Sequence, residues 1–175
     1  ALEVRESVEV LAGGGPADVV ELTLILAREM LDAAKVSGKD PEVALKDGSA
    51  MDRWRKMVKA QGGDPDASLP TAKEKLVVTA ERSGTISSMD ALKVGVSAWR
   101  LGAGRARQGE AVQAGAGIEI HAKPGEKIVS GSALFTLHSD ESERFERAKQ
   151  ALEGAVSISE KGEVAERLPL VITKF

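Results

Sequence analysis

The 175-residue sequence contains no cysteine and no tyrosine, and it holds only two tryptophans, three phenylalanines and two histidines. Without cysteine there is no disulfide framework, no thiolate nucleophile and no cysteine-based zinc site. So few aromatic side chains leave almost no platform for stacking single-stranded bases. A block of one charge sign is also missing. The 24 basic and 27 acidic residues are interspersed, for a net charge of −3, and no basic stripe exists to follow a phosphate backbone, which excludes nucleic acid as the expected partner. Long apolar runs are absent too. The stretch from Val19 to Ala34 is broken by Glu21, Arg28, Glu29 and Asp32, so it reads neither as a membrane span nor as the apolar part of a signal peptide. A cytoplasmic protein without a membrane partner is expected. Finally, the chain opens Ala1-Leu2-Glu3-Val4-Arg5-Glu6 with no initiator Met and already in helical register, and reads as the interior of a longer protein.

What is present supports a folded chain, because 42% apolar residues suffice for a core at this length. Leu2, Val4, Val8 and Leu11 follow roughly helical spacing until Gly13-Gly14-Gly15 breaks it. Pro16 restarts a helix, with Asp18 and Glu21 near its positive end. Asp40-Pro41 and Ser49 with Asp52 three positions on are two further helix starts, the second resembling a capping box. Met51, Trp54 and Val58 share a face, and Gln61-Gly62-Gly63 ends that helix. After Leu69-Pro70 the period changes. Leu76 to Ala80 is rich in β-formers, Gly84-Thr85-Ile86 is extended, and Asp90 caps a helix that Gly102 stops. Ile118 and Ile120 alternate with Glu119 and His121 as in a strand with one wet face. Lys123-Pro124-Gly125-Glu126 predicts a type II turn before Ile128-Val129 and a strand over Ala133 to Leu137. A helix capped near Asp140 should carry Phe145, Ala148 and Leu152 inward, and strands are expected at Val156 to Ile158 and Leu170 to Ile172. The fold class read from this order is α+β: a helical segment over residues 1–68, then a β-rich sandwich or barrel with two helices over 69–175.

Two resemblances follow from named residues. The run Pro124-Gly125-Glu126-Lys127-Ile128-Val129-Ser130-Gly131-Ser132-Ala133-Leu134 resembles the hairpin of biotinyl and lipoyl carrier domains, whose architecture is a barrel-sandwich hybrid. No lysine stands at the expected tip, so the scaffold is similar and the carrier chemistry is missing. A stand-alone binding or structural module on such a sandwich is the alternative reading. The longer likeness rests on Ala1 to Glu6, Gly15-Pro16-Ala17-Asp18-Val19-Val20-Glu21-Leu22-Thr23, Gln61-Gly62-Gly63-Asp64 and Leu101-Gly102-Ala103-Gly104-Arg105. In that order and spacing they resemble the carboxy-terminal part of the thymidine and pyrimidine-nucleoside phosphorylase family.

The resemblance implies reversible phosphorolysis of a pyrimidine nucleoside by the intact enzyme, giving thymine and 2-deoxyribose 1-phosphate from thymidine. It implies phosphate as co-substrate, no organic cofactor, and a homodimer formed mainly by helices of a small domain outside this chain. The family's Lys-Ser-Ser-Thr phosphate loop and its Arg, Ser and Lys set on the base precede the Ala-Leu-Glu-Val segment, so no catalytic or substrate-binding residue is carried over and the chain alone is expected to be inactive. Glu6 matches a carboxylate that binds a monovalent cation in some members. A solvated helix side chain is the competing reading, because hard cations need several oxygen ligands together.

The run Gly102 to Gly109 has two further readings. Convergent glycine N–H groups with Arg105 and Arg107 could cradle phosphate, yet such loops follow a strand and open a helix. A helix C-cap leading into an exposed loop needs no ligand, and a loop that orders when the intact enzyme closes is the third reading. His121 and His138 read as strand-surface residues, Trp54 and Trp99 as core, and Asp140-Glu141-Ser142-Glu143 as an acidic helix start.

Overall fold

The computed structural model describes residues 1–105, 107–165 and 169–174. The chain divides into two compact units, one of Ala1–Leu2 with Leu69–Arg167 and one of Glu3–Ser68 with Leu168–Phe175.

The second of these is helical. Its elements are α1 (Leu2–Leu11, the first residue falling in the other unit), α2 (Ala17–Ala33), α3 (Pro41–Lys46) and α4 (Ser49–Ala60). Asp40 caps α3 by accepting from the Glu42 N–H at 3.0 Å, as its place before Pro41 predicts. Ser49 does not cap α4. It lies inside the helix, Gly48 holds the cap position, and Asp47 accepts from the Ser49 N–H at 2.9 Å. Met51, Trp54 and Val58 are all half-buried on their shared face. Among the described residues of this unit only Val10 is a buried apolar side chain, whereas Leu26, Met30, Val43 and Met57 are exposed. The expected strand at Leu170 to Ile172 is absent. The tail belongs to this unit, which has no strand among the described residues, and Lys174 pairs with Glu29 at 2.6 Å.

The other unit carries the sheets. In order it comprises β1 (Glu74–Thr79), β2 (Gly84–Met89), α5 (Ala91–Ala98), β3 (Gly117–Ile120), β4 (Lys127–Ile128), β5 (Ala133–Ser139), α6 (Arg144–Leu152) and β6 (Val156–Ser159). Two open three-stranded sheets result, β1-β5-β3 and β4-β2-β6, with every pairing antiparallel. The α+β class therefore stands, while neither sheet closes into a barrel. The turn before β4 is tied by the Glu126 N–H to the Lys123 carbonyl at 3.1 Å, where Pro-Gly predicts it.

One core serves both sheets. Ile86 and Ile128 from one meet Leu134, Phe135 and Leu137 from the other, with Leu101, Ala148 and Leu152 from the helical side. Each large apolar side chain fully buried there contributes about 1.5–3 kcal/mol. The Ser97 hydroxyl, itself buried, donates to the Ala148 carbonyl at 2.9 Å and pins α5 to α6. As the central strand of its sheet, β5 pairs Phe135 and Leu137 with Val78 and Leu76 on one side and with Ile120 and Ile118 on the other. The opposite face of β5 carries Thr136 and His138, both buried. His138 is thus not a surface residue. Its Nε2 lies 2.8 Å from Glu119 Oε2. An ionised carboxylate only accepts, so that nitrogen holds the proton. His121 is exposed, as expected, with its Nε2 at 2.7 Å from Thr136 Oγ1.

Candidate functional site

The loop singled out by its glycines and arginines lies in the sheet-bearing unit, and α5 delivers it. Asp90 caps that helix by accepting from the Lys93 N–H at 3.1 Å. The helix widens into a single turn over Trp99–Ala103, and Gly102, at φ 106°, ends it. That backbone angle is strained for any residue with a Cβ, and a Cβ here would also lie 2.9 Å from the Gln113 side chain. Gly104 is needed for a different reason. Its backbone is extended, but a Cβ would stand 2.7 Å from Trp99 Cδ1. The chain therefore lies directly against the indole, whose Nε1–H donates to the Arg105 carbonyl at 3.1 Å. Trp99 is consequently not a core residue. It remains 42% exposed and holds the loop.

Gln113 organises the rest of the site, and nothing in the sequence pattern marked it. Its backbone N–H donates to the Gly102 carbonyl at 2.9 Å. Its side-chain Oε1 accepts from the Asp140 N–H at 2.7 Å, and its Nε2 donates to Glu141 Oε1 at 2.8 Å. The buried Ser139 hydroxyl sits 2.8 Å from the Leu101 carbonyl and 3.1 Å from Gln113 Oε1. It has one proton to give, and the shorter contact assigns it to Leu101. Asp140 does not cap α6 as the sequence implies. Its Oδ1 accepts from the Lys73 N–H at 3.1 Å, and Glu143 occupies the cap position without a side-chain bond.

These segments surround a cleft of about 260 Å³ whose walls include Trp99, Arg100, Glu110, Glu141, Arg144 and Arg147. Arg144 grips Glu141 through Nε at 2.8 Å and Nη2 at 3.3 Å. That guanidinium, with further help from the Gln113 amide, holds the Glu141 carboxyl below its ordinary pKa despite some desolvation. Reciprocally, Glu141 raises the Arg144 pKa. Arg100 Nη1 donates to the Arg147 carbonyl at 2.7 Å, whereas its buried Nε–H finds no acceptor among the described residues. A buried donor left so costs about 1–3 kcal/mol. Arg105 and Arg107 are exposed. The Arg107 N–H donates to Glu110 Oε2 at 3.2 Å, and Ala106 between them lies outside the described residues. The cleft thus sets three guanidinium-bearing residues beside two carboxylate-bearing ones.

Glu6 stands apart from this loop. It is an exposed side chain of α1, and among the described residues no group of three or more His, Asp or Glu side chains could hold a metal ion. Of the expected site residues, Gly102, Gly104, Arg105 and Arg107 thus share one loop, and Arg100, Gln113, Glu141, Arg144 and Arg147 complete it. No helix among the described residues is long and apolar enough to cross a membrane.

Comparison with known proteins bears on the whole chain. Residues 85–159 match the model of the pyrimidine nucleoside phosphorylase C-terminal domain. A thymidine phosphorylase of Mycobacterium tuberculosis is 56% identical over 158 residues, which cover 90% of this chain and 37% of that relative. A pyrimidine-nucleoside phosphorylase of Staphylococcus epidermidis is 30% identical over 185 aligned positions, covering 99% of this chain and 42% of its own length. One from Geobacillus stearothermophilus is 34% identical over 170, with 91% and 39% covered. The chain thus spans about two fifths of the length of the relatives it matches. Its resemblance to the thymidine and pyrimidine-nucleoside phosphorylases is real, and residues 85–159, which include the glycine-arginine loop and both sheet-bearing helices, correspond to the C-terminal domain of that family.

Proposed function

We propose that this chain is the C-terminal part of a pyrimidine-nucleoside phosphorylase. The observation that carries the proposal is 56% identity to a thymidine phosphorylase over 90% of this chain, set against 37% of that relative's length. In the reaction, phosphate attacks the anomeric carbon, the bond to the base nitrogen breaks, and the base leaves with the electron pair. Pentose 1-phosphate and free pyrimidine result. That chemistry needs a cationic cradle for phosphate, donors to the base carbonyls, and closure that brings the two together. The sequence has no Lys-Ser-Ser-Thr run, in keeping with a catalytic loop in the amino-terminal portion of the protein and an inactive chain on its own.

In this reading the helical unit completes an α/β domain, and the sheet-bearing unit, Leu69–Arg167 with Ala1–Leu2, is the family's barrel-sandwich-hybrid-like domain. The exposed apolar residues of α2 and α4 suit a helical segment that packs against further structure. The intact enzyme would be a cytoplasmic homodimer joined outside this chain. The loop of Gly102, Gly104, Arg105 and Arg107 would order on closure. Glu6 would be the carboxylate of a monovalent-cation site, whose further oxygen ligands would come from outside this chain.

The test is phosphate-dependent release of thymine from thymidine and of uracil from uridine, by this chain alone and mixed with the amino-terminal portion. Turnover only on mixing is expected, with Arg105→Ala or Arg107→Ala raising the phosphate KM of the mixture. Turnover by the chain alone would refute the placement of the catalytic groups, and none in either case would favour the binding-module alternative.

A further inference from the structure

We infer that the cleft between the Trp99–Ala103 turn and the start of α6 is a binding site for a small phosphate-class oxyanion. Three arginines and two glutamates line the cleft, and one of those arginines, Arg144, is already committed to Glu141. Arg100 and Arg147 have no carboxylate within ion-pair distance among the described residues. Two guanidinium groups of the lining, those of Arg100 and Arg147, thus stand at a recess of about 260 Å³ without a carboxylate partner among the described residues, a volume suited to an oxyanion rather than to a large ligand.

A second observation is independent of charge. The Arg100 Nε–H is buried and has no acceptor among the described residues, while the Nη1 of the same guanidinium is fixed on the Arg147 carbonyl. Buried donors are almost always satisfied, so this one marks an acceptor still to come. A phosphoryl group docked on the Nε edge supplies it, because two oxygens of a tetrahedral oxyanion match the paired donors of that edge. The backbone beside Arg100 is firmly held, since its neighbour Leu101 is buried and the Leu101 carbonyl takes the Ser139 hydroxyl. The second wall is equally fixed, because Gln113 ties the loop to the start of α6 through Asp140 and Glu141.

The experiment uses the 175-residue chain labelled at arginine nitrogens, titrated with inorganic phosphate at ionic strength held constant with chloride. The Arg100 Nε–H and the Gln113 side-chain amide should shift saturably. Arg147→Gln, at an exposed position that leaves the core untouched, and Arg100→Lys, which keeps the charge and removes the Nε donor, should each weaken apparent affinity about tenfold. Backbone spectra of both variants check that they remain folded. Glycerol phosphate distinguishes the source of the group: tighter binding than inorganic phosphate assigns the site to a phosphate monoester, and equal binding to the free ion. No saturable shift, an equal response to acetate, or undiminished affinity in both variants would overturn the assignment. None of these readouts depends on turnover, so the inference fails or stands apart from the phosphorylase reading.

Discussion

Replacing Gln113 by alanine isolates the one side chain on which the loop and the start of α6 both depend. The substitution removes the acceptor of the Asp140 N–H, at 2.7 Å, and the Nε2 donor to Glu141, at 2.8 Å. It leaves the backbone bond from the Gln113 N–H to the Gly102 carbonyl in place. The Asp140 amide is the larger loss, since an orphaned, partly buried donor costs about 1–3 kcal/mol, while the amide contact to the half-buried Glu141, which keeps its Arg144 partner, adds less. In a folded unit of about 100 residues, 1 kcal/mol moves Tm by roughly 4–8 °C, so a fall on the order of 10 °C is expected by calorimetry. Hydrogen exchange at the Asp140 amide should accelerate in parallel, more than at Phe135 in the centre of β5. Gln113→Glu separates the two contacts: it can still accept from Asp140 but sets a carboxylate against Glu141, and its Tm should lie between wild type and Gln113→Ala. A Tm for Gln113→Ala within a degree of wild type, with unchanged exchange at Asp140, would refute the assignment of Gln113 as the organising residue.

Gly104→Ala places a Cβ 2.7 Å from Trp99 Cδ1 at a backbone conformation that alanine accepts freely, so its cost is steric, about 1–3 kcal/mol. The indole must move off the Arg105 carbonyl, and a red-shifted tryptophan emission should report it; an unchanged spectrum and Tm would show that the loop does not rest on Trp99. Acid should loosen the same wall. Arg144 lowers the Glu141 pKa below its ordinary value of 4.5, so the stabilisation from that ion pair is fully present above pH 4.5 and is lost as pH falls through the lower, folded-state pKa. Carboxyl carbon shifts of Glu141 should titrate below 4.5 in wild type and nearer 4.5 in Arg144→Gln, and coincident curves would dismiss the pair.

The parts of the fold that the sequence disclosed are those fixed by chemistry within a few residues. Asp40 and Asp90 accept amides two and three positions on, and the Lys123 to Glu126 turn closes on itself, so caps and turns could be read one at a time. The same local reasoning failed where two candidates stood side by side: Ser49 resembled a capping box, yet Asp47 two residues earlier took the amide. His138 failed for another reason. Its own segment reads as a strand with His138 at the surface, but whether that face is wet depends on what packs over β5, and the residue is buried; packing from outside the strand is not written in the strand. The site divides along the same line. Gly102, Gly104, Arg105 and Arg107 were visible because they are contiguous, whereas Gln113 works through partners 26 to 28 residues away and Arg100 through one 47 away. Residues that chain-local logic cannot join are therefore the ones the structure adds. They are also the ones that turn an exposed glycine-arginine loop into a cleft with fixed walls.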